Sequence, residues 1–287
     1  MRLKLAAAIS TSVLLGSLWL RAQVKDFRPV TEAMLRNPGP GDWLNWRRTD
    51  NAWGYSPLDQ INRQNVQQLQ LAWSWAMDDT GAQEATPLVY DGVMYLPNPR
   101  GVIQALDAAT GDLIWEYRPG EARPAPSSPS AGGEQTVIPR LAQRPAAASG
   151  GGAGPVRRTD YRHPDSGGNL GEFPAMDIRS GKVLWRHRTP SPSNTAALAT
   201  AGGLAFGGDW DRHMYAYDAA TGKILWQTRL LTSPQGFPIT YLAKGKQYVA
   251  MPAGTGGGSW STLIPAELTP EIRQPKSGNA LMVFALP

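Results

Sequence analysis

Ala216-Tyr217-Asp218-Ala219-Ala220-Thr221-Gly222-Lys223-Ile224-Leu225-Trp226 is one of three copies of the pattern A-x-D-x-x-T-G-x-x-x-W in this chain of 287 residues. The earlier copies occupy 105–115 and 175–185, and Ser180 replaces the threonine in the second. Each copy places an Asp and a Gly between two apolar runs, which is typical of a β-hairpin. The Asp can accept backbone N–H groups within the turn, and the Gly can adopt a positive φ. The pattern therefore predicts three hairpins of one design.

The spacing of the tryptophans sets the size of the repeating unit. Trp75 precedes Trp115 by 40 residues, and Trp185 precedes Trp226 by 41. A second glycine-containing turn lies 23 residues before Trp115 and again 23 residues before Trp226. Two hairpins in about 40 residues give four short strands, which is the repeat of a propeller blade. We therefore predict an all-β propeller rather than a β-sandwich with scattered tryptophans.

The composition excludes several classes of site. No cysteine is present, so the chain has neither disulfides nor thiolate metal ligands. His163, His187 and His213 are too scattered to predict a metal site or a catalytic triad. The net charge of +5 comes from arginines in the middle of the chain, which have no interleaved aromatic residues and no nucleic-acid-binding motif. We therefore expect no nucleic-acid partner.

The chain divides into four predicted segments. Residues 1–22 carry basic residues before an apolar run of 16 and predict a signal peptide for export, or an uncleaved membrane anchor. Residues 119–167 are rich in Pro, Gly and Ser and predict a flexible linker. The segments 23–118 and 168–287 carry the strand patterns and predict two groups of blades that pack on each other.

Several longer motifs resemble one enzyme family. They are Gly41-Asp42-Trp43, Tyr55-Ser56-Pro57-Leu58, Gln83-Glu84-Ala85-Thr86-Pro87, Leu198 to Asp209, Gly245 to Ala250 and Val283 to Pro287. In this order they resemble the quinoprotein alcohol and glucose dehydrogenases, which depend on pyrroloquinoline quinone (PQQ). The resemblance covers about 41–118 and 168–287. It implies periplasmic localisation and a propeller that has eight blades with tryptophan-docking repeats in the family.

The length of the chain is too short for eight blades. Without the targeting segment and the linker, the remaining residues suffice for about four to five blades of roughly 42 residues. We therefore expect an incomplete propeller that lacks the family's central blades. Because the first and last blades are neighbours in the family's ring, the last strand, 280–286, is expected to bridge the two halves.

Three residues are candidates for binding the cofactor, and the resemblance carries over only Glu84 among them. Glu84 matches a family glutamate that reaches the cofactor pocket, Arg100 can face the cofactor carboxylates, and Trp210 can stack on the ring. The alternatives are a solvated carboxylate at a strand end, a surface arginine and a tryptophan that packs on the next blade. No segment matches the family's catalytic Asp or calcium-binding Asn motifs, so the sequence assigns no catalytic residue and no Ca²⁺ ligand.

Two functions follow as hypotheses. The first is a PQQ-binding oxidoreductase that oxidises CH–OH groups of an alcohol or sugar and passes electrons to a cytochrome or quinone. It acts alone, or with an oligomer or second chain that completes the propeller. The second is a noncatalytic periplasmic scaffold that binds proteins. A decayed relative with little function is a third, plainer alternative.

Overall fold

The fold is all-β in the computed structural model, which describes residues 27–77, 85–119, 164–254, 268–273 and 278–287, together with Val24 and Pro275. These residues form fifteen strands, three single-turn 3₁₀ helices and one α-helix, α1 (Glu32–Arg36), which Thr31 caps. No helix in these ranges has the length and apolar character needed to cross a membrane. The predicted targeting segment, 1–22, and most of the predicted linker, 120–163, lie outside the described residues.

The strands and 3₁₀ turns have the following bounds. They are β1 (Tyr55–Ser56), β2 (Gln70–Ala76), β3 (Leu88–Tyr90), β4 (Val93–Pro97), β5 (Ile103–Asp107), β6 (Leu113–Tyr117), β7 (Gly171–Met176), β8 (Val183–Thr189), β9 (Leu198–Thr200), β10 (Leu204–Gly208), β11 (His213–Asp218), β12 (Ile224–Arg229), β13 (Ile239–Ala243), β14 (Lys246–Ala253) and β15 (Ala280–Ala285). The 3₁₀ turns are Val66–Gln68, Pro99–Gly101 and Pro164–Ser166.

The strands form four sheets, which are the blades of an incomplete propeller. One blade position is filled by the β7–β8 hairpin alone, and we call this hairpin the half-blade. Blade 1 is β9-β10-β11-β12, with β1 added in parallel beside β9. Blade 2 is β13-β14-β15-β2, and blade 3 is β3-β4-β5-β6. Against the predicted four to five blades, the described residues fill four blade positions, one of them with a hairpin only.

Blade 2 joins the two ends of the chain. Strand β15 pairs antiparallel with β2, and Val283 lies opposite Trp73. All six residues of β15 are buried. The prediction that the last strand bridges the N-terminal and C-terminal parts is confirmed.

The three copies of the turn motif form hairpins of one design. Asp218 Oδ1 accepts the backbone N–H groups of Ala220 at 2.9 Å and Thr221 at 3.1 Å. Asp107 and Asp177 bind the N–H groups two and three residues further on in the same way. The predicted hairpins are confirmed.

Tryptophan docking holds neighbouring blades together. Trp185 of the half-blade donates its Nε1–H to Ala219 O of blade 1 at 3.0 Å. Its ring lies so close to Gly222 that a Cβ added there would be 2.5 Å from it. Blade 1 is joined to blade 2 by Trp226, whose Nε1–H donates to Leu69 O at 2.9 Å.

The joint between blades 2 and 3 repeats this packing. Trp73 lies against Gly111, where an added Cβ would be 2.6 Å from the ring. The carbonyl of Ala108 accepts a hydrogen bond of 2.7 Å from the Tyr241 hydroxyl rather than from the indole. The spatial order is therefore half-blade, blade 1, blade 2, blade 3, and each tryptophan points to the next position.

Candidate functional site

One end of the blades carries the segments that enter the inner strands. We call it the loop end, and it comprises 85–87, 190–197 and 230–238, the β4–β5 turn and the β10–β11 turn. Since strands alternate in direction within a blade, these parts lie opposite the Asp-Gly hairpin turns. Asn194 Nδ2 donates to Pro234 O at 3.3 Å, which joins the loop ends of blades 1 and 2.

Two of the three sequence-predicted cofactor residues, Arg100 and Trp210, fall on different blades. Arg100 belongs to the 3₁₀ turn of blade 3, and Trp210 lies in the β10–β11 turn of blade 1, where its N–H donates to Pro192 O at 2.9 Å. Both turns are at the loop end, but blade 2 separates them. Glu84 lies outside the described residues. The roles of these three residues in cofactor binding therefore stay predictions.

Sequence reasoning missed three buried polar residues of the loop end, Thr232, Ser233 and Gln235. Their exposed fractions are 1%, 1% and 6%. Thr232 Oγ1, Ser233 Oγ and both polar side-chain atoms of Gln235 have no hydrogen-bond partner within the described part of the chain. A buried polar group left unpaired costs about 1–3 kcal/mol, so three in one segment require an explanation. A polar ligand that accepts and donates hydrogen bonds at this place provides one.

The backbone around these side chains is tightly held. Ser233 O accepts from the N–H of Gly254 at 2.8 Å, and the N–H groups of Gln235 and Gly236 both approach Pro252 O at 3.3 Å. An added Cβ at Gly236 would lie 2.7 Å from Ala85 O and 2.6 Å from the Pro252 side chain. The polar side chains therefore project from a fixed frame. Ala85, the neighbour of Glu84 in the chain, forms part of that frame.

Aromatic rings and a cation lie beside the polar segment. The Trp46 ring contacts the Phe237 ring edge to face, with 5.4 Å between centroids. The Arg47 guanidinium carbon is 6.0 Å from the centre of the Phe237 ring. Partial burial lowers the pKa of Arg47, but an arginine stays protonated at neutral pH. This combination of planar rings, a positive charge and hydrogen-bonding groups suits a planar anionic ligand.

A second polar network lies where blade 1 meets the half-blade. Asp209 is 3% exposed, and its Oδ2 accepts the Tyr215 hydroxyl at 2.8 Å. Burial, together with the Asp209 charge, raises the pKa of Tyr215 well above its ordinary value. Burial also lowers the pKa of His187, whose ring lies 5.5 Å from that of Tyr215, although Asp209 opposes this shift. Tyr215 and His187 are therefore neutral near pH 7, and Asp209 is held in one orientation.

The described ranges contain no group of three His, Cys, Asp or Glu side chains placed to hold a metal ion. Within them, the loop end offers hydrogen bonds, aromatic surface and the Arg47 charge, together with the Asp209 and Asp211 carboxylates of the β10–β11 turn.

The comparison with protein families gives one match. The family model described as "PQQ: Glucose/ethanol/alcohol dehydrogenase, beta-propeller domain" matches residues 43–136 and 168–249. The match reaches strands of all four sheets and ends within β14.

Curated relatives agree with this family. The dehydrogenase subunit of the quinone alcohol dehydrogenase of Gluconobacter oxydans is 31% identical over 254 residues, which are 78% of this chain and 31% of the relative. The quinohemoprotein alcohol dehydrogenase ADH-IIG of Pseudomonas putida is 32% identical over 244 residues, with the same two shares. This chain thus spans about a third of the length of these relatives.

Solved structures share the fold. A quinohemoprotein alcohol dehydrogenase from Pseudomonas putida HK5 aligns with a TM-score of 0.60 and 15% identity, covering 90% of this chain and 82% of that chain. A europium-containing methanol dehydrogenase aligns with a TM-score of 0.60 and 16% identity, covering 88% of this chain and 99% of that chain. At these identities the likeness concerns the fold.

Proposed function

This chain belongs to the PQQ-dependent glucose/ethanol/alcohol dehydrogenase β-propeller family, and from that membership we propose that it binds PQQ and acts as an alcohol-dehydrogenase-like oxidoreductase. Because it spans about a third of its curated relatives, binding and turnover by this chain are both part of the proposal. The observation that carries it is the set of buried, unpaired polar side chains at 232–235.

These residues fit the chemistry of the cofactor. PQQ is a planar quinone with several carboxylates, so it needs hydrogen-bond donors, a positive charge and aromatic surface. The hydroxyls of Thr232 and Ser233 and the amide of Gln235 provide donors, and Arg47 provides the charge. When bound, PQQ supplies an acceptor for the two electrons of a CH–OH group. The protein's part is to bind and orient it, and to exclude water from the loop end.

The finer parts of the proposal come from the sequence and from the family resemblance. They are contact of Glu84, Arg100 and Trp210 with the cofactor, a Ca²⁺ ion beside it, an alcohol or sugar as the substrate, and a cytochrome or quinone as the acceptor. Location in the periplasm, or at a membrane through an uncleaved anchor, completes the proposal.

Calorimetric titration of the full chain with PQQ, with and without Ca²⁺, tests the binding site. We expect saturable binding that Thr232→Val and Gln235→Leu each weaken by about 10- to 100-fold, because each removes a hydrogen bond to a charged ligand. Thr221→Val, at the opposite end of blade 1, is the matched control and should leave the affinity unchanged. Glu84→Ala tests the role that the resemblance implies for that carboxylate.

The same titration separates the two functions. If Thr232→Val and Gln235→Leu bind PQQ as well as the wild type, the site assigned at 232–235 is wrong; if the folded chain does not bind PQQ, the oxidoreductase proposal is wrong. The scaffold alternative would then be favoured by the exposed apolar residues on blade 3, such as Ile103 and Tyr117.

A further inference from the structure

Blade 3 ends the arc with an uncovered face. Across this blade, Leu88, Tyr95, Ala105 and Trp115 lie opposite one another in register, so their side chains share one face. Two residues further along the strands, Tyr117 and Ile103 extend that face and are 55% and 39% exposed.

Trp115 is the docking tryptophan of blade 3, in the motif position of Trp185 and Trp226. Unlike theirs, its Nε1–H has no hydrogen-bond partner among the residues that the structure describes. It borders an open apolar groove of about 600 Å³. Blade 3 therefore presents a tryptophan in the docking position that, among the described residues, docks on no other blade.

The half-blade has a motif turn on which no tryptophan of the described chain docks. In blades 1 and 3 the motif glycines, Gly222 and Gly111, are covered by Trp185 and Trp73. Gly181, the motif glycine of the half-blade, has no atom within 4 Å of an added Cβ.

The exposure of the residue three positions before the motif glycine also shows that the turn of the half-blade is uncovered. In blade 3 it is Ala108, which is fully buried beneath blade 2, whereas in the half-blade it is Ile178, which is 98% exposed. The half-blade thus carries a complete receiving turn that no tryptophan of the described chain fills.

We propose that two copies of this chain join head to tail, with Trp115 of each copy docked on the Gly181 turn of the other. The indole ring would cover Gly181, and its Nε1–H would donate to the carbonyl of Ile178, as Trp185 donates to Ala219 within the chain. The direction is the same as in every joint already present, from one blade to the next position.

The surfaces around the two halves of the joint are chemically complementary. On the half-blade, Arg186 and Arg188 lie on the face opposite Trp185, since they pair with Pro174 and Glu172 rather than with Ala175. Their guanidinium groups contact Glu172 at 3.5 Å and 2.8 Å and retain exposed surface. Arginines stack well on aromatic rings, and blade 3 offers the rings of Tyr95 and Tyr117.

The number of copies follows from closure. A head-to-tail contact produces either a ring or an open filament, depending on whether the rotation closes. Each copy fills four blade positions, and closed propellers contain four to eight blades. One copy leaves Trp115 bordering an open groove and the Gly181 turn uncovered, two copies complete a ring within that range, and three would exceed it.

Sedimentation velocity of the full chain across a range of concentrations tests the joint. We expect a species of twice the 31.0 kDa chain mass. Trp115→Ala should raise its dissociation constant at least about 30-fold, as expected for a central aromatic anchor. Ile178→Arg should do the same without affecting the fold, because that side chain is exposed. Trp53→Ala, which removes a tryptophan that is 73% exposed elsewhere, is the matched control and should change nothing.

A mixing experiment identifies the head-to-tail arrangement. Each variant alone has both joints damaged, but a 1:1 mixture of Trp115→Ala and Ile178→Arg contains pairs with one intact joint. The mixture should therefore associate more tightly than either variant alone. A chain that stays monomeric, a dimer that both variants leave intact, a mixture no tighter than its parts, or an assembly larger than two copies would each overturn the inference. No step involves PQQ, so failure of cofactor binding would leave this result unaffected.

Discussion

Both the backbone conformation and the close approach of Trp185 require glycine at position 222. Their contributions to the free energy of unfolding can be measured separately. The φ of Gly222 is +74°, and an added Cβ would lie 2.5 Å from the Trp185 ring. Gly245 has a φ of +76° but open space around it. We expect Gly222→Ala to lower the free energy of unfolding by about 1–3 kcal/mol more than Gly245→Ala, because overpacking adds to the shared backbone strain. Urea unfolding measures the difference, and equal losses would contradict the docking role of Gly222.

We expect the Thr232 hydroxyl to destabilise the ligand-free protein and to contribute to ligand binding. This buried hydroxyl has no partner in the described ranges, so Thr232→Val should raise the free energy of unfolding of the ligand-free protein by about 1 kcal/mol. Thr240 is the matched control, because its buried hydroxyl donates to Tyr248 O at 2.7 Å and accepts from Gln247 Nε2 at 3.0 Å. Thr240→Val should be destabilising by about 1–3 kcal/mol. A loss of stability with both variants would show that Thr232 is satisfied in solution.

At the scale of single residues, the sequence predicts contacts between near neighbours in the chain but not contacts between distant residues. Asp218 and Gly222 were predictable because their partners are local, within three residues in the turn or in the φ of one residue. The backbone beside Thr232 and Gln235 is held by Ala85 and Pro252, which are distant in sequence and contact it at Gln235 and Gly236. The only local signal was a polar run directly before an apolar strand.

Among the elements, the half-blade is expected to be the least stable. Strand β7 pairs only with β8, whereas β14 lies between β13 and β15. The half-blade is held mainly through Trp185 and through Phe173, which stacks on Tyr217 at 5.0 Å. Hydrogen exchange should therefore be faster in 171–176 than in 246–253, because fewer buried contacts protect its amides. Comparable protection of the two strands at a concentration where the chain is monomeric would contradict this ranking.

The spacing of the tryptophans along the chain does not identify which tryptophan of β2 docks on blade 3. The period of about 40 pointed to Trp75, but the ring that packs on Gly111 belongs to Trp73. Trp75 instead donates its Nε1–H to Gln104 Oε1 at 2.9 Å. Strand β2 has no hairpin partner of its own and takes its register from β15, more than 200 residues away, with an irregularity at Val283 and Phe284. A register set by such a distant strand cannot be read from local spacing.

At the scale of the molecule, the incomplete propeller was predictable because repeat length and chain length together limit the number of blades. The half-blade was not, since the pattern of 175–185 is as complete as that of the other copies. Within the described residues that blade has two strands, and the residues before it that are rich in Pro, Gly and Ser, 120–163, lie outside the described part of the chain.

Ion pairs that connect separate blades give the whole molecule a predictable response to acid. Asp107 of blade 3 binds Lys244 of blade 2, with 3.1 Å between Oδ2 and Nζ. Burial acts to raise the pKa of Asp107, but the Ala109 N–H and Lys244 outweigh it, and the net pKa is lowered. A carboxylate with a lowered pKa stabilises the fold above its ordinary pKa of about 3.9, and this contribution disappears as the pH falls through the folded-state value.

The melting temperature should therefore fall as the pH is lowered from about 5 towards 2.5, and Asp107→Asn should make that fall shallower. The variant should melt below the wild type at pH 6, where the charge and its hydrogen bonds are lost, and the two should converge in acid, where Asp107 is protonated in both states. Asp59→Asn, an exposed carboxylate outside the motif, is the control and should keep the wild-type slope. Parallel curves for wild type and Asp107→Asn would mean that this contact between blades 2 and 3 contributes no pH-dependent stability, and that acid acts on the propeller elsewhere.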